Sequence, residues 1–129
     1  MELKINTNPT YTLIKPISLP ANVNMTEVVY QKWLELTTSD SRNLILDMQA
    51  CQSADPQQLA DQLFALHEIF YKNNNSFVIV NLPAEIYKVL KKLDEDMTLN
   101  ITPTLAEAVD IIQMEMLERD LLNEDGEEF

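Results

Sequence analysis

Two periodicities alternate along this chain. Leu3–Asn6 and Tyr11–Lys15 are short β-prone runs separated by Thr7-Asn8-Pro9, a turn signal. Pro16 and Pro20 close this opening section. Asn24 is then placed as an N-cap, with Glu27 three positions on in a variant of the capping box. From Met25 to about Thr37 the apolar positions Met25, Val29, Trp33 and Leu36 recur at helical spacing and predict one buried stripe. Asn43–Asp47 is a short apolar strand. Asp55-Pro56-Gln57-Gln58 starts a helix: aspartate caps, proline suits the first helical position, and Gln58 is placed to reach back. That helix runs to about Lys72 with Leu59, Leu63, Leu66 and Phe70 on one face, and Asn73-Asn74-Asn75 ends it. Phe77–Asn81 is a second apolar strand, and Pro83 opens a helix that turns Ile86, Leu90 and Leu93 inward. Alternating Met97, Leu99 and Ile101 predict another strand. Thr104 with Glu107 opens a last helix to about Leu122.

The order is β-β-α-β-α-β-α-β-α. It predicts one α/β domain over residues 1–122, with alternating helices and a mixed sheet, mostly parallel, whose opening strands add an antiparallel part. Residues 123–129 are expected to be an acidic, disordered C-terminal tail.

With 129 residues, 46% of them hydrophobic, the chain is long enough for one real core. The start, Met1-Glu2-Leu3-Lys4, has no basic or apolar leader character, so no signal peptide is expected. No apolar run approaches a membrane span. The single cysteine, Cys51, has no internal partner for a disulfide, which suits a cytoplasmic setting. A net charge of −12 opposes nucleic acid and acidic membrane surfaces and would steer a basic protein partner inward. Much of the excess lies in Asp94-Glu95-Asp96 and from Glu115 onward, runs that read first as solvated surface.

Candidate chemistry is sparse. Asp47, at a strand's carboxyl end, invites comparison with a receiver phospho-acceptor, but no acidic pair follows the first strands and no lysine follows the late ones. A carboxylate accepting loop amide hydrogen bonds is the preferred reading. His67 has no second histidine or cysteine pair to make a triad or metal site. Cys51 has no adjacent cation to lower its pKa. The one glycine, Gly126, excludes a glycine-rich phosphate cradle. No cofactor, metal ligand or catalytic residue is expected. Two further rows stay open. Ala60, Phe64, His67 and Tyr71 either pack on a neighbouring helix or offer a partner-binding face. Met114, Leu117 and Leu121 lie away from the core stripe of the last helix (Leu105, Ala108, Val109, Ile112, Met116). They either pack under the opening strands or serve docking, including a homodimer through this helix.

The segment from Asn43 to Ile112 resembles the STAS domain, the fold of bacterial anti-sigma factor antagonists and of the cytoplasmic tails of some anion transporters. Leu46-Asp47 matches the strand that closes on Leu-Asp, and Asp55 falls at the aspartate of Asp-Ser-Ser-Gly at the next helix start. Ser76–Val80, Pro83–Leu93, Met97–Ile101 and Thr104-Leu105-Ala106-Glu107-Ala108 follow in the family's order; Thr12–Lys15 and Leu19-Pro20-Ala21 match loosely. The resemblance implies a non-enzymatic module that binds a regulatory protein, such as an anti-sigma factor or serine-kinase-type regulator of transcription. In antagonists of the phosphorylated type, a serine after the second aspartate is phosphorylated by that kinase, and the added charge ends binding.

Here Pro56-Gln57-Gln58 stands where Ser-Ser-Gly would be, so Gln57 is a degenerate phospho-acceptor position without a hydroxyl. Ser53 precedes the aspartate. The resemblance therefore implies partner binding through the 48–58 loop and following helix (Ser53, Asp55, Gln57, Gln58, Phe64) without the usual switch. A small-molecule sensor using the same loop, with a nucleotide as one candidate ligand, is the alternative; the acidic balance and the missing glycines count against phosphates.

Overall fold

The computed structural model describes residues 2–17, 24–36, 42–50 and 55–127, the last five as backbone only. Pro20, the Leu19-Pro20-Ala21 match, Thr37, Cys51 and Ser53 lie outside the described residues. Among those described, the order is β1 (Leu3–Thr7), β2 (Tyr11–Pro16), α1 (Met25–Leu36), β3 (Asn43–Asp47), α2 (Pro56–Lys72), β4 (Phe77–Val80), α3 (Ala84–Leu93), β5 (Ile101–Thr102) and α4 (Leu105–Glu127). The strands lie side by side in chain order, with β1 antiparallel to β2 and the other pairs parallel.

Strand order explains the layering. Each new parallel strand is added on the same side, so right-handed crossovers send α1, α2 and α3 to one face. Side chains alternate across the sheet at period two. Leu44, Leu46, Phe77 and Ile79 join Val29, Trp33, Leu63, Phe70 and Leu90 in the main core. Ile45, Val78 and Val80 meet Ala108 and Ile112 of α4 on the other face. β3 and β4 are thus buried on both sides, which is why their sequences are continuous apolar runs.

At the centre of the main core is Phe70. Its ring packs edge-on against Trp33, with centroids 4.6 Å apart, and stacks on Phe77 at 5.7 Å. α2 ends through its asparagines: the Asn73 N–H donates to the Phe70 carbonyl and the Asn74 N–H to the Tyr71 carbonyl, and Asn74 takes φ 60° before Asn75 donates back to the Phe70 carbonyl. Asparagine tolerates this left-handed conformation better than most residues.

Several details differ from the sequence reading, among them Leu93 and Leu105, which were expected to face the core and are exposed at the end of α3 and the start of α4. Alternation at Met97 and Leu99 is not strand: β5 holds only Ile101–Thr102. Asp94 sits at the end of α3 and its two carboxylate oxygens accept from the Thr98 and Leu99 amides, at 2.8 Å each, curling the chain so that Met97 points to solvent at φ 52°. A side-chain cap overrides an apolar alternation of three residues. Leu36 is only partly buried, because it falls at the last residue of α1. The backbone of α4 runs to Glu127, past the expected end near Leu122, and takes in Gly126 in its last turn.

Replacing Phe70 by alanine should remove the aromatic centre and cost about 3–5 kcal/mol of stability, measured by urea unfolding; a loss near that of a surface substitution would show that the core does not depend on it.

Candidate functional site

The carboxyl ends of β3, β4 and β5 form the edge where sequence reasoning placed the site. β3 ends at Asp47, and the ladder continues one step further as the Met48 amide donates to the Val80 carbonyl at 3.0 Å. Met48 is fully buried and anchors the start of the loop. The Asp47 carboxylate accepts from the Gln49 amide at 2.9 Å, the loop role expected for it. Lys15, at the end of β2, donates to the Gln49 side chain at 3.1 Å.

At the start of α2, the Oδ1 of Asp55 accepts from the Gln57 and Gln58 backbone amides at 3.1 and 3.2 Å. This is the N-cap read from the sequence, with Pro56 in the first turn. Gln57 and Gln58 are exposed, and the Gln57 amide donates to Asp61 one turn on, at 3.3 Å. Position 57 therefore presents a neutral amide at the positive end of a helix. α2 is held in place further along by Gln62, which accepts from the Met25 amide at 2.9 Å and, through its carbonyl, from the Thr26 hydroxyl at 3.0 Å.

The second row of α2 is committed largely to internal packing. Ala60 is fully buried, and Phe64 is half-buried against the main core. His67 stacks on Tyr71 with ring centroids 4.4 Å apart. Tyr71 donates to Glu115 of α4 at 2.7 Å and accepts from Asn100 at 2.6 Å, so it lashes α2 to the far side of the sheet. Burial and the Glu115 carboxylate push its phenol well above the ordinary tyrosine range. Partial burial lowers the His67 pKa below 6.5, against the opposing pull of Asp94 and Glu115, and its Nδ1 is enclosed without a hydrogen-bonding partner.

Sequence reasoning missed a groove of about 570 Å³ beside the loop, lined by Gln49, Asn81, Leu82, Tyr87, Ile101 and Pro103 among others. Its residues come from the ends of three strands and from α3. The one local signal was Asn81, an asparagine after an apolar strand, which adopts φ 56° at the rim. Among the described residues, no lysine or arginine lines the groove. Among the described residues, no group of three or more His, Cys, Asp or Glu is placed to hold a metal ion. None of their helices is long and apolar enough to cross a membrane.

No protein-family model and no curated protein matches the chain. Solved structures do match. RsbS of Moorella thermoacetica superposes with a TM-score of 0.65 at 13% identity, over 84% of this chain and 95% of that one. An anti-sigma-factor antagonist (STAS) domain protein of Planctomyces limnophilus superposes with a TM-score of 0.52 at 16% identity, over 86% of this chain and 97% of that one. This chain has the STAS fold. It also superposes on a murine Solute Carrier 26 family member A9 anion transporter, with a TM-score of 0.59 at 21% identity, covering 84% of this chain but only 18% of the transporter. In this STAS fold Asp47 ends β3 and Asp55 caps the start of α2, the helix that follows it.

Asp55→Ala should cost about 0.5–2 kcal/mol through loss of the cap, read by urea unfolding with helix content unchanged elsewhere. His67 generates a pH effect. A depressed folded-state pKa means that the unfolded chain takes up a proton near pH 6.5 while the folded chain resists it. The stability this residue contributes is present above that pH and is lost as pH falls from 6.5 through the lower folded value. His67→Gln should therefore lose less stability than the unmodified protein between pH 7.5 and pH 5.5 (about one unit either side of the free histidine value). Parallel curves would exclude it.

Proposed function

We propose that this chain is a non-enzymatic regulatory STAS module that binds a protein partner through residues 48–58 and the following helix, without a serine switch. The observation that carries this reading is the start of α2: exposed, capped by Asp55, and bearing Gln57 where the resemblance expects a phospho-acceptor. A glutamine amide engaged with Asp61 offers hydrogen bonds to a partner and no hydroxyl to a kinase. The pinned loop start, from Met48 to the Lys15–Gln49 bond, supplies a rigid platform. Similar solved structures include an anti-sigma-factor antagonist domain protein and a component of the stressosome, described as a signal integration and transduction hub. By that analogy the partner is an anti-sigma factor or serine-kinase-type regulator, and the setting is bacterial, cytoplasmic and transcriptional. Asp55, Gln57, Gln58 and the exposed part of Phe64 form the contact; Ser53, outside the described residues, is assigned to it from the sequence.

A second reading has its own observation, the groove next to the loop. Its apolar walls with a few amide and hydroxyl groups suit a small neutral ligand. With no lining cation among the described residues, a nucleotide phosphate is a poor occupant. Thermal stabilisation by such a ligand, without retention of a protein, would favour this sensor role.

The deciding experiment is affinity capture from native extract by the unmodified protein and by Gln57→Glu. Glutamate in the first turn of a helix suits its dipole, so the fold should hold. A negative charge at the interface should weaken a specifically retained regulator by about tenfold or more, equivalent to about 1.4 kcal/mol. Equal retention by both proteins would remove this surface from the contact.

A further inference from the structure

The outer face of α4 is the least explained surface of the fold. α4 turns Ala108 and Ile112 into the sheet, with Val109, Ile111 and Met116 partly covered. On the opposite side Met114, Leu117 and Leu121, spaced three and four residues apart, are 62%, 60% and 52% exposed. Helical geometry places these three in one row running along the distal half of the helix. The sequence reading left open whether this row packs under the opening strands; it does not, because α4 lies over β4 and β5 and points the row away from them. Isolated exposed leucines are ordinary, but an aligned row opposite the core is not required by the fold.

Charge decides what suits the row. Exposed Glu107, Asp110, Glu118 and Asp120 surround it, and the only cation in α4, Arg119, is withdrawn to the amino ends of the strands. There Arg119 donates to the Ser76 hydroxyl at 3.0 Å and to the Asn43 side-chain oxygen at 3.4 Å. The same Asn43 oxygen also receives the Ser76 amide. The outward face therefore combines apolar anchors with carboxylates and no compensating positive charge. A second copy of this chain would set those carboxylates against their equivalents, in a molecule that already carries a net charge of −12. A segment with aliphatic residues at helical spacing and lysine or arginine around them would match both features.

We propose that the row Met114, Leu117 and Leu121, framed by its carboxylates, is a docking surface for a basic amphipathic helix of another protein. It lies across the sheet from α2, so it would leave the 48–58 surface free and allow two proteins to be held at once.

The probe is a synthetic, fluorescently labelled peptide of leucine and lysine arranged as an amphipathic helix. It is titrated against the full chain beside a scrambled peptide of identical composition. The ordered peptide should bind at least about tenfold more tightly than the scrambled one, and added salt should weaken it. Leu117→Ser with Leu121→Ser, which keeps every charge, should weaken binding by about tenfold or more while leaving the thermal midpoint in place. Equal binding of the two peptides, or unchanged binding to the double variant, would reduce the effect to general charge attraction and overturn the proposal. Sedimentation of the protein alone provides the other decisive result: a dimer that the same two substitutions dissociate would assign the face to a second copy instead.

Discussion

Burial of β3 and β4 on both faces is the constraint from which the rest of the architecture follows. Leu44, Leu46, Phe77 and Ile79 require cover on one side, and Ile45, Val78 and Val80 require it on the other. Exposed to water, either set would forfeit roughly 1.5–3 kcal/mol per large side chain. Three crossover helices supply the first cover because the strands are added in chain order; α4, following the last strand, is left to supply the second. The carboxyl ends of the central strands then meet on one edge. The loop after β3, the rim at Asn81 and the groove are consequences of that edge, not independent features.

Opposite that edge, polar groups bind the layers together. Asn43 takes the Thr10 carbonyl with its amide nitrogen while its oxygen receives the Ser76 amide and Arg119. Tyr71 joins α2 to α4 through Glu115 and to the start of β5 through Asn100. These side chains replace hydrogen bonds that the ends of short strands would otherwise leave unmade in a partly buried setting. The carboxyl edge, by contrast, carries the larger groove and the exposed start of α2.

Local chemistry makes much of the fold legible in the sequence alone. Asn24, Asp55 and Thr104 all cap where they were read, because a short polar side chain before an apolar helical pattern has few other uses. β3 and β4 were visible as unbroken apolar runs. The misreading at Met97–Leu99 has a specific cause: alternation over three residues is weak evidence, and a buried carboxylate four and five positions upstream held their amides in a turn. At the site, Asp47 and Asp55 were legible as strand end and helix cap. The groove was not, since Gln49, Asn81, Tyr87 and Pro103 belong to separate segments with no shared spacing.

The sequence by itself determined the element order, the two-sided burial of the central strands, the acidic character and the missing hydroxyl at Gln57, because each is a property of adjacent residues or of composition. Only the tertiary structure decided which face each helix covers, that Tyr71 is spent on Glu115 and Asn100, and that Arg119 turns inward and leaves the outer face of α4 with no cation. Those outcomes depend on which distant segments meet. Sheet order and the layering of helices bring Ser76 within reach of Arg119, and no pattern along the chain encodes that encounter.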